Sequence, residues 1–147
     1  MSEEIRSKAS IELVKDMIFS CDMGEMKVRD CYIDETHQKE ADMWGPNPVK
    51  LLASAILGCL SASYIFCLQK KKLSLNDYKA EAEAIISRNE KGFLRVKEIN
   101  VKLIPKTDNP DVIKRMEQCK KMFEQYCTVT ESVREGIQVN VDIHDKE

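Results

Sequence analysis

Between Lys50 and Lys70 the chain carries no formal charge, and the run from Pro48, PVKLLASAILGCLSASYIFCLQ, is apolar on every side of a helix. No other stretch constrains the fold as strongly. A helix that is apolar all round must be enclosed by its own domain or must cross a membrane. Its length sits at the lower edge of what spans a bilayer. Ser54, Ser61, Ser63 and Gly58 weigh against a span, and the amphipathic strands on both sides need this helix as their cover. The expectation is therefore a buried central helix in a soluble domain, with no membrane partner. Asn47 is placed to cap it, and Pro48 takes the first helical position, where a missing N–H costs little.

Residues 10 to 34 read as two strands around an Asp-Met-Gly turn at 22 to 24. Residues 35 to 47 have no sustained period and read as a loop. Tyr78, Ala80, Ala82, Ala84 and Ile86 alternate with Lys79, Glu81 and Glu83, which is the pattern of a half-buried strand. A turn follows at Asn89 to Gly92. In the next strand Leu94 and Val96 lie in one phase and Ile99, Val101 and Leu103 in the other, which predicts a bulge near Lys97. Val112, Ile113, Met116, Cys119, Met122, Phe123 and Tyr126 recur at helical spacing, so one amphipathic helix is expected to end near Cys127. Thr128 and Glu131 form a capping box for a short helical turn, and Ile137, Val139, Val141 and Ile143 alternate as a last strand. The order β-β-α-β-β-α-β, with a buried central helix wrapped by sheets, is an α+β fold. One domain, residues 1–147, accounts for the chain.

Lys and Arg (23) nearly balance Asp and Glu (25) and are interspersed with them, so no basic face points to nucleic acid. The polar start MSEEIRSK has no apolar core of a secretion signal, and the expected location is cytoplasmic. There Cys21, Cys31, Cys59, Cys67, Cys119 and Cys127 would rest as thiols. With no C-x-x-C and only His37 and His144, far apart, neither a metal nor another cofactor is expected.

Cysteine is often small apolar filler, and that is the reading for Cys21, Cys31, Cys67 and Cys119. Cys59 and Cys67 are eight residues apart on one helix, a rise of about 12 Å, beyond the reach of a disulfide. A continuous helix separates Cys119 from Cys127 in the same way, so any internal disulfide must join different segments. Cys127 stands between the end of one helix, which opposes a thiolate, and the start of another, which favours one. Cys59 lies in apolar surroundings that raise a thiol pKa, so its reactivity would need a cation brought to it by the fold.

Two segments carry a family resemblance: "GPNPVKLLASAILGC", an Asn-Pro stretch leading to a helical cysteine, and "YCTVTESVREGIQVNVDI", a second cysteine followed by a short helix and a strand. With their order and spacing, they make the chain similar to the osmotically inducible protein C and organic hydroperoxide resistance (OsmC/Ohr) family over nearly its whole length. The resemblance implies an intertwined homodimer and an organic hydroperoxide substrate. It makes Cys59 the peroxidatic thiol, oxidised to a sulfenic acid, and Cys127 the resolving thiol that condenses with it. A small dithiol or lipoyl group would be the reductant, and Cys67 and Cys119 would stay reduced. The apolar helix would then line a water-poor pocket suited to organic peroxides. The chain also departs from the pattern. Val49 stands where peroxidase members carry a glutamate, Lys50 follows it, and Thr128 replaces a common proline. The activating cation falls to Lys15, near the position of the family arginine, or to Arg29 as a substitute. Val49 favours an alternative, a non-catalytic dimer binding a small apolar or thiol-containing ligand at an interface pocket. Retention of both cysteines favours the peroxidase.

Overall fold

The computed structural model describes residues 4–15, 18–24, 30–36 and 44–144. It forms two units, Met1–Leu52 and Ala53–Glu147. In the first unit β1 (Ser10–Lys15), β2 (Ile18–Asp22) and β3 (Tyr32–Asp34) make an antiparallel sheet in the order β1-β2-β3. Sequence periodicity predicted two strands here. The first of them folds back on itself, with Leu13 opposite Phe19 and Lys15 opposite Ile18, so β1 and β2 are separate strands. The expected turn does form at Asp22, whose carboxylate accepts the Gly24 N–H at 2.9 Å, and Gly24 takes a positive φ of 92°. Asp34 is buried, and its carboxylate accepts the N–H groups of Thr36 and Trp44, each at 3.0 Å. A side chain at Gly45 would collide with the Tyr32 carbonyl oxygen, which restricts that position to glycine. The unit ends in the first turn of α1 (Pro48–Gln69), where Asn47 accepts the Lys50 N–H at 2.9 Å as its pattern predicted.

The second unit holds the rest of α1, then β4 (Asp77–Arg88), β5 (Leu94–Lys106), α2 (Pro110–Lys120), a 3-10 turn at Phe123–Tyr126, and α3 (Thr128–Glu135). β4 and β5 form a long antiparallel hairpin. Ile85 pairs with Glu98 and Ile86 with Val96, so Lys97 is left out of the ladder, and the bulge falls where the phase change predicted it. α1 buries Ala53, Ile56, Leu60, Tyr64, Cys67 and Leu68, a stripe at spacings of three and four. Ser54, Gly58, Ala62 and Phe66 on the other side are exposed. Enclosure on all sides, expected from the sequence, is therefore reached on one side only within the single chain. Against the buried stripe pack Val112 and Cys119 of α2, Tyr78 of β4 and Leu103 of β5. The rings of Tyr64 and Phe123 meet edge to face at 5.2 Å.

Three further expectations are corrected. Cys67 and Cys119 are joined by a disulfide, with Cα atoms 5.9 Å apart, and so are neither filler nor reduced. The pair lies on different helices, as the spacing argument requires. The Arg115 guanidinium reinforces the contact by donating twice to the Cys67 carbonyl, at 3.1 and 3.3 Å. The last strand, over Ile137 to Ile143, does not form: residues 136–144 have no ladder, and Val139 and Val141 are 77% and 80% exposed. Alternation marks a face that can be buried, but a strand also needs a neighbouring backbone, and none pairs with it among the described residues. The predicted helix to Cys127 likewise breaks near Met122 (φ −135°) and resumes as the 3-10 turn.

The Cys67–Cys119 bond spans a sequence separation of 52 residues. Loop-closure entropy assigns about 4 kcal/mol to a link of that length. Urea unfolding with and without a strong reductant should differ by about that amount. Coincident curves would show that the bond is absent in solution.

Candidate active site

The short 3-10 turn and α3 fix the position of Cys127. Arg134, in the last turn of α3, donates to Glu124 in the 3-10 turn at 2.7 Å and to Glu131 in α3 at 2.5 Å. That double ion pair clasps the two elements at the point where Cys127 stands between them. Cys127 itself occupies the N-cap of α3, so the capping box expected at Thr128 does not form: Thr128 is the first helical residue, and the N-cap side chain makes no cap hydrogen bond.

Cys127 is fully buried, and Thr130, also buried, places Oγ1 3.0 Å from its Sγ. Cys59 reaches the same point from the side of α1 and is partly exposed. The two thiols lie close enough that each shifts the other's pKa, and Ser63, one turn after Cys59, is near enough to lower that of Cys127. The fold thus brings together the two cysteines that stand 68 positions apart in the sequence.

Burial alone would push the Cys127 thiol up, but hydrogen bonds from Cys59, from the Thr130 hydroxyl and amide, and from Ser63 outweigh it. They hold Cys127 below the ordinary thiol range. Cys59 moves the other way. Its burial, and then its contact with Cys127, raise its pKa, and the amides of Val129 and Thr130 offset this only in part. The pair therefore holds its first negative charge at Cys127, where amides and hydroxyls converge, and its remaining proton at Cys59.

Of the two candidate cations, Arg29 lies outside the described residues. Lys15 places Nζ 5.3 Å from the Trp44 ring centre and helps to lower the Asp34 pKa, after the Thr36 bonds that dominate there. The first turn of α1, which includes Val49, carries no acidic residue. Among the described residues no cluster of three metal-ligating side chains occurs. Sequence reading missed Ser63 and Thr130. Both were accessible to it, since Ser63 is four residues from Cys59 on one helix and Thr130 is the third residue after an N-cap.

Losing the hydroxyl in Thr130→Val should raise the first thiol ionisation, because a group that lowers the Cys127 pKa is removed. Thiolate ultraviolet absorbance against pH measures it, and an unmoved first ionisation would show that the amides alone hold the charge.

Comparison with known proteins sets this site in a family. The family model for OsmC-like protein matches residues 37–142. Several solved structures share the fold. The OsmC-like protein of Mycoplasma pneumoniae aligns with a TM-score of 0.73 at 15% identity, covering 90% of this chain and 89% of that one. The organic hydroperoxide resistance protein OhrB of Bacillus subtilis aligns with a TM-score of 0.60 at 18% identity, covering 88% and 91%. A putative organic hydroperoxide resistance protein of Vibrio cholerae, with captopril bound in one of its active sites, gives 0.59 at 19% identity over 91% and 88%. No curated protein matches the sequence significantly. A family model that spans most of the chain, on a fold shared with these structures, shows that the chain belongs to the OsmC-like protein family.

Proposed function

We propose that this protein is a homodimeric thiol peroxidase that reduces organic hydroperoxides through Cys59 and Cys127. The observation that carries the reading is the contact between the two thiols at the start of α3, one partly exposed and the other buried among hydrogen-bond donors. Hydroperoxide resistance proteins among its structural neighbours support the class of reaction.

Cys59 is the sulfur that a substrate can reach, so it attacks. Its proton passes to the neighbouring Cys127 sulfur, and the resulting thiolate attacks the terminal peroxide oxygen, displacing the alkoxide. The O–O bond breaks, the alcohol leaves with a proton from solvent, and Cys59 becomes a sulfenic acid. Cys127 then attacks Cys59, the S–S bond forms, and water is released. A small dithiol or lipoyl group reduces the disulfide by two exchange steps and departs as its own cyclic disulfide. The nearby hydroxyls and amides take the part that a carboxylate-held cation would otherwise play.

Assembly as a dimer is supported by two surfaces left open in the single chain. One is the small-residue side of α1 at Ser54, Gly58 and Ala62, and the other is the alternating tail, where Ile137 and Ile143 are 61% and 83% exposed. An unpaired, alternating segment of this kind is covered when it joins the sheet of a second copy. Light scattering at micromolar concentration should give twice the chain mass, and a monomer would reject this assembly.

One observation favours binding without catalysis: Val49 leaves the first turn of α1 without a carboxylate while Cys59 keeps a raised pKa. One equivalent of cumene hydroperoxide separates the two readings. The peroxidase should form a Cys59–Cys127 disulfide seen by peptide mass mapping. Cys59→Ser should abolish peroxide consumption, and Cys127→Ser should stop at a sulfenic acid on Cys59. An unconsumed peroxide with both thiols intact would establish the binding reading instead.

A further inference from the structure

A second pair of thiols lies outside the site described above. In the N-terminal sheet the register of β2 and β3 runs from Ile18 opposite Asp34 to Ser20 opposite Tyr32, and the next rung sets Cys21 opposite Cys31. That rung is closed by the Cys21 N–H donating to the Cys31 carbonyl at 2.9 Å. Directly opposed residues on antiparallel strands project to the same side with Cβ atoms about 5 Å apart, a gap that a modest adjustment closes to disulfide geometry. Both thiols are free and partly exposed. Their face of the sheet is apolar and open, since Ile11, opposite Cys21, and Leu13 are 53% and 64% exposed.

We propose that Cys21 and Cys31 form a second two-electron dithiol centre, which exchanges with small uncharged disulfides and closes to a cross-strand disulfide independently of Cys59 and Cys127. In the first step one thiolate attacks the small disulfide RSSR, forming a mixed protein disulfide and releasing RS⁻. In the second, the other cysteine attacks the protein sulfur of the mixed disulfide, forming the Cys21–Cys31 bond and releasing the second RS⁻. The two protein protons end on the two released thiols, so the centre is oxidised by two electrons and RSSR is reduced to two RSH. The uncharged class of partner follows from Ile11 and Leu13, the exposed apolar side chains on this face among the described residues. Burial, followed by the hydrogen bond to Cys31, pushes the Cys21 thiol up to about 11. A thiol of such high pKa leaves poorly from a disulfide, so the closed form would persist once made.

The test uses the full chain carrying Cys59→Ser and Cys127→Ser, with the Cys67–Cys119 bond in place, so that only Cys21 and Cys31 are free. Treatment with bis(2-hydroxyethyl) disulfide should remove two hydrogens, give a Cys21–Cys31 cross-linked peptide and leave no lasting adduct. Adding Cys21→Ser or Cys31→Ser should convert that product into a stable mercaptoethanol adduct on the remaining cysteine. A lasting adduct in the chain with both cysteines, a cross-link between chains, or no modification at all would each overturn the proposal. Because the background lacks both Cys59 and Cys127, its outcome is independent of the peroxidase reading.

Discussion

A long helix without charge has to be covered, and the arrangement of the C-terminal unit follows from how α1 meets that requirement. One side is covered by α2 and the β4–β5 hairpin, which meet it around Tyr64, Cys67 and Leu68. α2, tied to α1 through Cys119, ends at Lys120. The chain breaks at Met122, makes one 3-10 turn, and starts α3 with Cys127 against Cys59. Covering the helix and assembling the thiol pair are thus consequences of the same packing. The polar link from the Tyr78 hydroxyl to Ser61, at 2.7 Å, sits within that contact and satisfies a hydroxyl that the hairpin would otherwise bury unpaired.

Among the described residues, the groups that lower the Cys127 pKa are hydroxyls, an amide and the other thiol. An N-cap position supplies unpaired amides and the positive end of a short dipole, and two hydroxyls add directed hydrogen bonds in a buried setting. Such a site is weaker than one built on an arginine held by a carboxylate, yet it is precise in geometry because Arg134 fixes the 3-10 turn to α3. The two sulfurs differ in setting: Cys127 is buried with its pKa lowered, and Cys59 is partly exposed with its pKa raised.

The six cysteines sort by the elements that carry them. Two face each other across packed helices in the core and are bonded, two meet at a helix start, and two stand on one rung of a ladder. Composition could only count them. Their chemistry differs because burial, unpaired amides and apolar exposure differ among the three settings, and none of those properties is local in sequence.

Local and periodic features were legible from the chain alone. The Asn47 cap with Pro48, the Asp22–Gly24 turn, the β4–β5 hairpin and the bulge at Lys97 all follow from side-chain chemistry or phase within a few residues, where short-range sterics and hydrogen bonding decide the outcome. Family resemblance singled out Cys59 and Cys127. What depends on a partner far along the chain was decided only by tertiary structure. Residues 137 to 143 have the alternation of a strand and no paired neighbour among the described residues, the Cys67–Cys119 bond needed two helices to pack before it could exist, and Thr130 and Ser63 gained a role only when α3 met α1. Sequence pattern states which face wants burial, whereas the identity of the group that buries it depends on long-range packing, in which each contact is made only after the others have been placed.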